Sequence, residues 1–113
     1  MRGRIPKNLL EEAKNFSIEN NHQECCGLFL YNKINLEVDD FIKLDNLSAN
    51  PKKAFIINPA YLVMDNIYCI FHSHLNISEK PSTSDIENSL SLGIPFLIYS
   101  LKTDCFCFYE IKV

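Results

Sequence analysis

The sequence predicts an α/β or α+β domain of about three helices and five or six strands, and three observations carry that class. Continuous apolar runs of strand length occur at 25–31, 67–72 and 96–101, short enough to be buried strands. The stretch 6–20 carries Leu9, Ala13 and Phe16 at helical spacing, and 82–93 is framed by helix start and stop signals. Turn-forming Asn, Pro and Gly residues separate these segments. No repeat, low-complexity tract or linker interrupts them.

Taken in order, Pro6 suits the first turn of a helix over 6–20, with charged positions between the apolar ones and Asn20-Asn21 as a stop. The run 25–31 is the first strand. Asn32-Lys33 is a turn, and 36–44 a second strand that sets Leu36, Val38, Ile42 and Leu44 on one face, although Asp40 breaks the alternation. A polar loop containing Pro51 covers 46–53, followed by a short strand over 54–57. Asn58-Pro59 reads as N-cap and first residue of a brief helix to about Asp65. The run 67–72 is the central strand. Ser82 or Thr83 opens the next helix, which Gly93 closes ahead of Pro95. Segments 96–101 and 105–112 are two strands joined by a turn at Lys102-Thr103-Asp104.

A chain of 113 residues has the length for one core and not two, so residues 1–113 are expected to form a single domain. Its 47% hydrophobic and 12% aromatic content fits a packed globule. A net charge of −3, with 11 scattered basic residues, disfavours a nucleic-acid surface. The basic start Met1-Arg2-Gly3-Arg4 is followed by Pro6-Lys7-Asn8 and not by an apolar run, so no signal peptide is expected. No stretch approaches the ~20 apolar residues of a membrane span. The expected setting is the cytoplasm. Five cysteines (Cys25, Cys26, Cys69, Cys105, Cys107) sit in apolar runs without a Cys-x-x-Cys pair, which reads as small buried hydrophobes in a reducing compartment.

The chemistry concentrates around Ile70-Phe71-His72-Ser73-His74. On a strand, His72 and His74 point to one face and Ser73 to the other. After ten intervening residues stands Asp85, in the first turn of the expected helix, where a carboxylate can fold back towards both imidazoles. Two neutral imidazoles and one carboxylate make the three protein ligands of an open, catalytic zinc site; a closed structural site needs a fourth. Iron or cobalt suits the same set nearly as well. Ser82-x-x-Asp85 also resembles a helix capping box, a role compatible with metal binding. Glu24, just before a buried strand, is costly to bury unless it faces a cleft, and is the candidate general base. Ser82 is the candidate oxyanion donor. His22 reads as a solvated loop residue, and Ser73 has no second base placed to make it a nucleophile.

Together these positions resemble a family. Glu24 ahead of Cys25-Cys26-Gly27-Leu28, then His72-Ser73-His74, seven residues, Ser82, two residues and Asp85 are similar to the JAMM motif of the MPN-type zinc metalloproteases. The resemblance runs from about Pro6 to the C-terminus. Phe55-Ile56-Ile57-Asn58-Pro59, Pro81-Ser82 and Gly93-Ile94-Pro95-Phe96 are similar to small prokaryotic and phage-tail members. One departure is Leu75, where many members have proline. The long insertions by which eukaryotic deubiquitinating members grip ubiquitin are also missing.

The resemblance implies a cytidine-deaminase-like α/β fold, a mixed sheet flanked by about three helices. It implies one Zn2+ per chain on His72, His74 and Asp85, with Glu24 activating water and Ser82 holding the oxyanion. The implied reaction is hydrolysis of a peptide or isopeptide bond in a protein, ubiquitin-like or cell-wall peptide substrate, with phage tail assembly as one setting. The alternative is a catalytically silent MPN scaffold acting through protein contacts, a class that usually loses motif residues kept here. Oligomeric state is left open.

Overall fold

The computed structural model describes residues 4–111. Helix α1 (Lys7–Glu19) opens the chain, followed by strands β1 (Cys26–Tyr31) and β2 (Val38–Leu44). A 3-10 turn at Pro59–Val63 precedes β3 (Ile67–His74), α2 (Thr83–Leu92), β4 (Phe96–Ser100) and β5 (Cys105–Tyr109). The strands form one mixed sheet in the order β2-β1-β3-β4-β5. Only β3 and β4 are parallel, and α2 is the crossover that a parallel pair requires.

Strand parity sorts the core into two layers. Leu9 and Ala13 of α1 pack with Cys25, Phe29, Phe71, Leu97 and Tyr99 on one face. Leu28, Ile70, Phe96 and Ile98 face the other way and are joined there by Ile57, with Phe55 and Leu62 packed against them. His72 lies two residues from Ile70 and pairs with Ile98, so it belongs to this second face. Gly27 is required by close approach: a Cβ there would run into the Ile42 carbonyl oxygen and the Phe41 ring.

Several expectations change. Among the described residues two α-helices form, and the third helix is only the 3-10 turn, started by Asn58 accepting the Ala60 N–H at 3.0 Å. The second strand starts at Val38, because Leu36 adopts a positive φ of 63° in the preceding turn. A register shift at Leu30/Tyr31 then lets one residue of β2 bulge. The bulge reverses parity, so Val38 packs with Phe41 on the α1 face, not with Ile42 and Leu44. Segment 54–57 is extended but joins no strand; its Ile56 N–H bonds the Asn46 side chain instead. Finally, Cys25, Cys26 and Cys69 are buried thiols, but Cys105 is exposed and Cys107 half-buried because β5 is a sheet edge. The last strand ends at Tyr109, and its expected end at Lys112 lies outside the described residues. No helix among the described residues is long and apolar enough to cross a membrane.

Candidate metal centre

The centre forms where β3 ends and α2 begins, at the carboxyl end of a parallel strand, the usual ligand position of such units. His72 and His74 occupy the last three residues of β3 with Ser73 between them. Both imidazoles are buried, 1% and 2% exposed. Ser73 points to the opposite face, where its hydroxyl accepts the Cys25 N–H at 2.8 Å.

Asp85 is brought to the histidines by the capping of α2. Ser82 Oγ accepts the Asp85 N–H at 3.1 Å, and Asp85 Oδ2 accepts the Ser82 N–H at 2.9 Å. This reciprocal box makes Asp85 the third residue of the helix with its carboxylate folded back over the N-terminus. Asp85 Oδ1 then lies 3.0 Å from His72 Nε2, and Oδ2 lies 3.1 Å from His74 Nε2. One ligand atom from each of the three residues lies within 4.8 Å of the other two.

Hydrogen-bond arithmetic shows that the cluster wants a cation. His74 Nδ1 sits 2.6 Å from the Ser78 carbonyl; a carbonyl only accepts, so Nδ1 carries the proton. In a neutral ring Nε2 is then a lone pair, facing an acceptor oxygen of Asp85. Two acceptors at 3.1 Å need a proton or a metal ion between them. His72 repeats the pattern, since neither of its buried ring nitrogens has an aligned hydrogen bond despite the 3.0 Å approach of Asp85. The two contacts use different oxygens of the carboxylate, so Asp85 alone draws both imidazole nitrogens into one group. The residues fit the ion. The Ser78 carbonyl behind His74 is the kind of partner that fixes a ligating imidazole's tautomer.

Electrostatics follow from burial and these contacts. Burial lowers the pKa of His72, against the pull of Asp85. For His74 burial acts in the same direction, but Asp85 and the Ser78 carbonyl outweigh it and the pKa rises. Burial would raise Asp85, yet both imidazoles and the Ser82 N–H hold it well below the usual carboxylate range.

Glu24 is brought to the same place. It precedes β1, is 7% exposed, and sets Oε1 3.8 Å from His72 Nδ1. Burial raises its pKa to about 7, opposed by His74 and reinforced by Asp85, which suits a group that must take and return a proton near neutrality. Glu24, His74, Ser82 and Asp85 line one cleft of about 140 Å³, with Lys53 and Phe55 on its other wall. A larger hollow of about 210 Å³ near Gly93 and Pro95 holds no histidine, so the chemistry and not the volume locates the site. Ser82 Oγ accepts from Asp85, which leaves its O–H free to donate into the cleft. His22 is exposed and takes no part.

Sequence reasoning missed two contributors. Phe55 stacks on His72 with centroids 4.3 Å apart and planes at 22°, and Asn46 bonds the Glu24 carbonyl at 2.8 Å. An aromatic in an apolar run and an asparagine in a loop give no periodic signal. The hint available was the family resemblance of Phe55-Ile56-Ile57-Asn58-Pro59, which marks the segment but assigns Phe55 no role.

No protein-family model matches the chain, and no curated protein matches it. Solved structures do. A protein from Desulfitobacterium hafniense superposes with a TM-score of 0.66 at 22% identity, covering 94% of this chain and 88% of that one. A JAB1/MPN domain protein from Archaeoglobus fulgidus gives 0.53 at 18% identity, covering 87% and 82%. A protein from Salinibacter ruber gives 0.62 at 13% identity, covering 98% and 82%. These likenesses show the fold: the chain has the α/β architecture of a JAB1/MPN domain, and it carries a His-His-Asp group able to hold a metal ion.

Proposed function

We propose that this protein is a zinc-dependent hydrolase of the JAMM type, cleaving a peptide or isopeptide bond. The observation that carries the reading is the His72, His74 and Asp85 group with the buried carboxylate of Glu24 beside it, 3.8 Å from His72, where Glu24, His74 and Asp85 line one cleft. His72, His74 and Asp85 would hold one Zn2+ per chain. The ion would supply Lewis acidity, lowering the pKa of water towards ~7 and polarising a carbonyl.

Glu24 takes the proton from the attacking water and returns it to the leaving amine. Its raised pKa matches both transfers. Ser82 donates its O–H to the oxyanion of the tetrahedral intermediate. Phe55 and the buried faces of both histidines keep bulk water from the site, which strengthens every charge interaction inside it. The cleft is small and has the cation Lys53 in its lining; a peptide segment of a protein or peptide partner is the substrate class this reading assigns.

The test is metal content by mass spectrometry on protein purified without added metal, beside His74→Ala and Glu24→Gln, followed by cleavage assays on peptide and isopeptide libraries. About one zinc in the wild type and Glu24→Gln, little in His74→Ala, and turnover only in the wild type are expected. No metal after zinc is offered would overturn the reading. Zinc with equal biological activity in Glu24→Gln would point to a scaffold instead.

A further inference from the structure

We propose that Asn46 is a positioning residue for this centre, holding both Glu24 and Phe55 in place through a single carboxamide. The inference rests on the hydrolase reading above, with Glu24 as its base.

A carboxamide has two N–H donors and two acceptor sites, and Asn46 fills all four. Its Nδ2 donates to the Glu24 carbonyl at 2.8 Å and to the Ala54 carbonyl at 2.9 Å, with the Pro51 carbonyl further off at 3.5 Å. Its Oδ1 accepts the Ser48 N–H at 3.0 Å and the Ile56 N–H at 3.1 Å. Two of those partners flank Phe55, the ring stacked on His72. A third is Glu24 itself.

The sheet cannot do this work. The ladder of β1 starts at Cys26, so the backbone of Glu24 lies outside it. Its N–H goes to the Pro51 carbonyl at 2.7 Å and its C=O to Asn46. Both anchors belong to the 46–56 loop, whose path Asn46 dictates. The backbone that carries the Glu24 carboxylate is therefore held by the loop that follows β2, and the same side chain holds the segment that carries Phe55. No part of Asn46 is among the residues lining the cleft, so it acts through the two residues that do. Aspartate would keep the acceptors and lose the donors. Glutamine would overshoot by a methylene.

The experiment compares wild type, Asn46→Ala and Asn46→Asp in the full chain by three readouts: metal content, residue-resolved amide hydrogen exchange, and kcat and KM on a cleaved peptide. In Asn46→Ala, exchange at Glu24 and Ile56 should rise at least about tenfold while Leu28 and Ile70 in the central ladder stay unchanged. In Asn46→Asp, Ile56 should stay protected because the retained oxygen still accepts its N–H, while Glu24, whose N–H bonds Pro51 of the loop that the lost donors held against it, should exchange faster. Metal content should remain near wild type, with kcat down about tenfold to a hundredfold and KM little altered. Unchanged exchange at Glu24, or a rise at Leu28 as large as that at Ile56, would overturn the proposal. So would KM rising with kcat constant. If the wild type binds zinc but cleaves nothing, the hydrolase reading fails, and the exchange pattern alone decides whether Asn46 holds Glu24.

Discussion

Ser73 and Cys25 are tied by two hydrogen bonds that cross between neighbouring strands. The Ser73 hydroxyl accepts the Cys25 N–H at 2.8 Å, and the Cys25 carbonyl accepts the Ser73 N–H at 2.9 Å. Both residues are fully buried. The serine between the two histidines is thus a clamp. It fixes the strand that carries the imidazoles against the residue next to Glu24.

Replacing Ser73 by alanine leaves the Cys25 N–H buried without a partner, which costs about 1–3 kcal/mol. Urea unfolding of Ser73→Ala should show a lower midpoint at unchanged slope. A midpoint equal to wild type would mean that water or a backbone shift replaces the bond.

How much of this was legible follows from what each residue signals. His72, His74, Ser82 and Asp85 lie within fourteen consecutive residues, so strand parity and one helix cap suffice to bring them together. Glu24 was recognisable only through the wider motif, because nothing local says that a strand start 48 residues before His72 lies beside it. The face of β2 was misjudged since a bulge leaves no mark except an interrupted alternation, the one Asp40 supplied. Segment 54–57 looked like a strand from its apolar residues, but one backbone bond, from the Leu47 N–H to the Ile56 carbonyl, makes no ladder, and the Asn46 side chain takes the neighbouring Ala54 C=O and Ile56 N–H. Long-range side-chain bonds of this kind have no period to read.

Substitution at Asp85 separates the proposed metal binding from helix capping. Asp85→Asn keeps an oxygen to accept the Ser82 N–H, so α2 should form and circular dichroism stay unchanged. It removes the charge that balances the ion, so metal content should fall from about one per chain to near zero. Chelation of wild-type protein should lower the melting temperature, because a ligand at a hundred times its Kd stabilises by ~2.7 kcal/mol, or on the order of ten degrees for a domain of this size. Melting curves that ignore both chelator and excess zinc would remove the ion from the native state.

Gly27 is set by space and not by backbone angle. A methyl group there would meet the Phe41 ring at 2.8 Å and crowd the Ile42 carbonyl still more closely. A carbonyl within a β-ladder cannot swing aside, and the ring is wedged by Phe16, Phe29 and Phe71. Gly27→Ala should therefore destabilise by at least the ~1–3 kcal/mol of an overpacked core. Expression in soluble form with a wild-type urea midpoint would show that β2 can shift outward. Gly93→Ala is the counterpart: open space surrounds it, but φ is +67° at the helix end, so its cost should stay near ~1 kcal/mol.

A second cluster, remote from the metal centre, sets a pH dependence of its own. Asp104 accepts the buried Tyr99 hydroxyl at 2.6 Å and pairs with Lys14 of α1 at 2.9 Å, joining the helix to the β4–β5 turn. Tyr99 first, then Lys14, hold the Asp104 carboxyl below its ordinary value. A carboxyl depressed in the folded state adds stability that is present above its unfolded pKa of ~4 and fades as pH falls through the folded value. Asn at this position keeps the neutral acceptor and tolerates the left-handed backbone, φ 53°. Asp104→Asn should thus lower the urea midpoint at pH 7 and approach wild type near pH 3, with the gap shrinking in salt because the ion pair is exposed. A gap that stays constant from pH 7 to pH 3 would assign the effect to backbone strain and not to the charge.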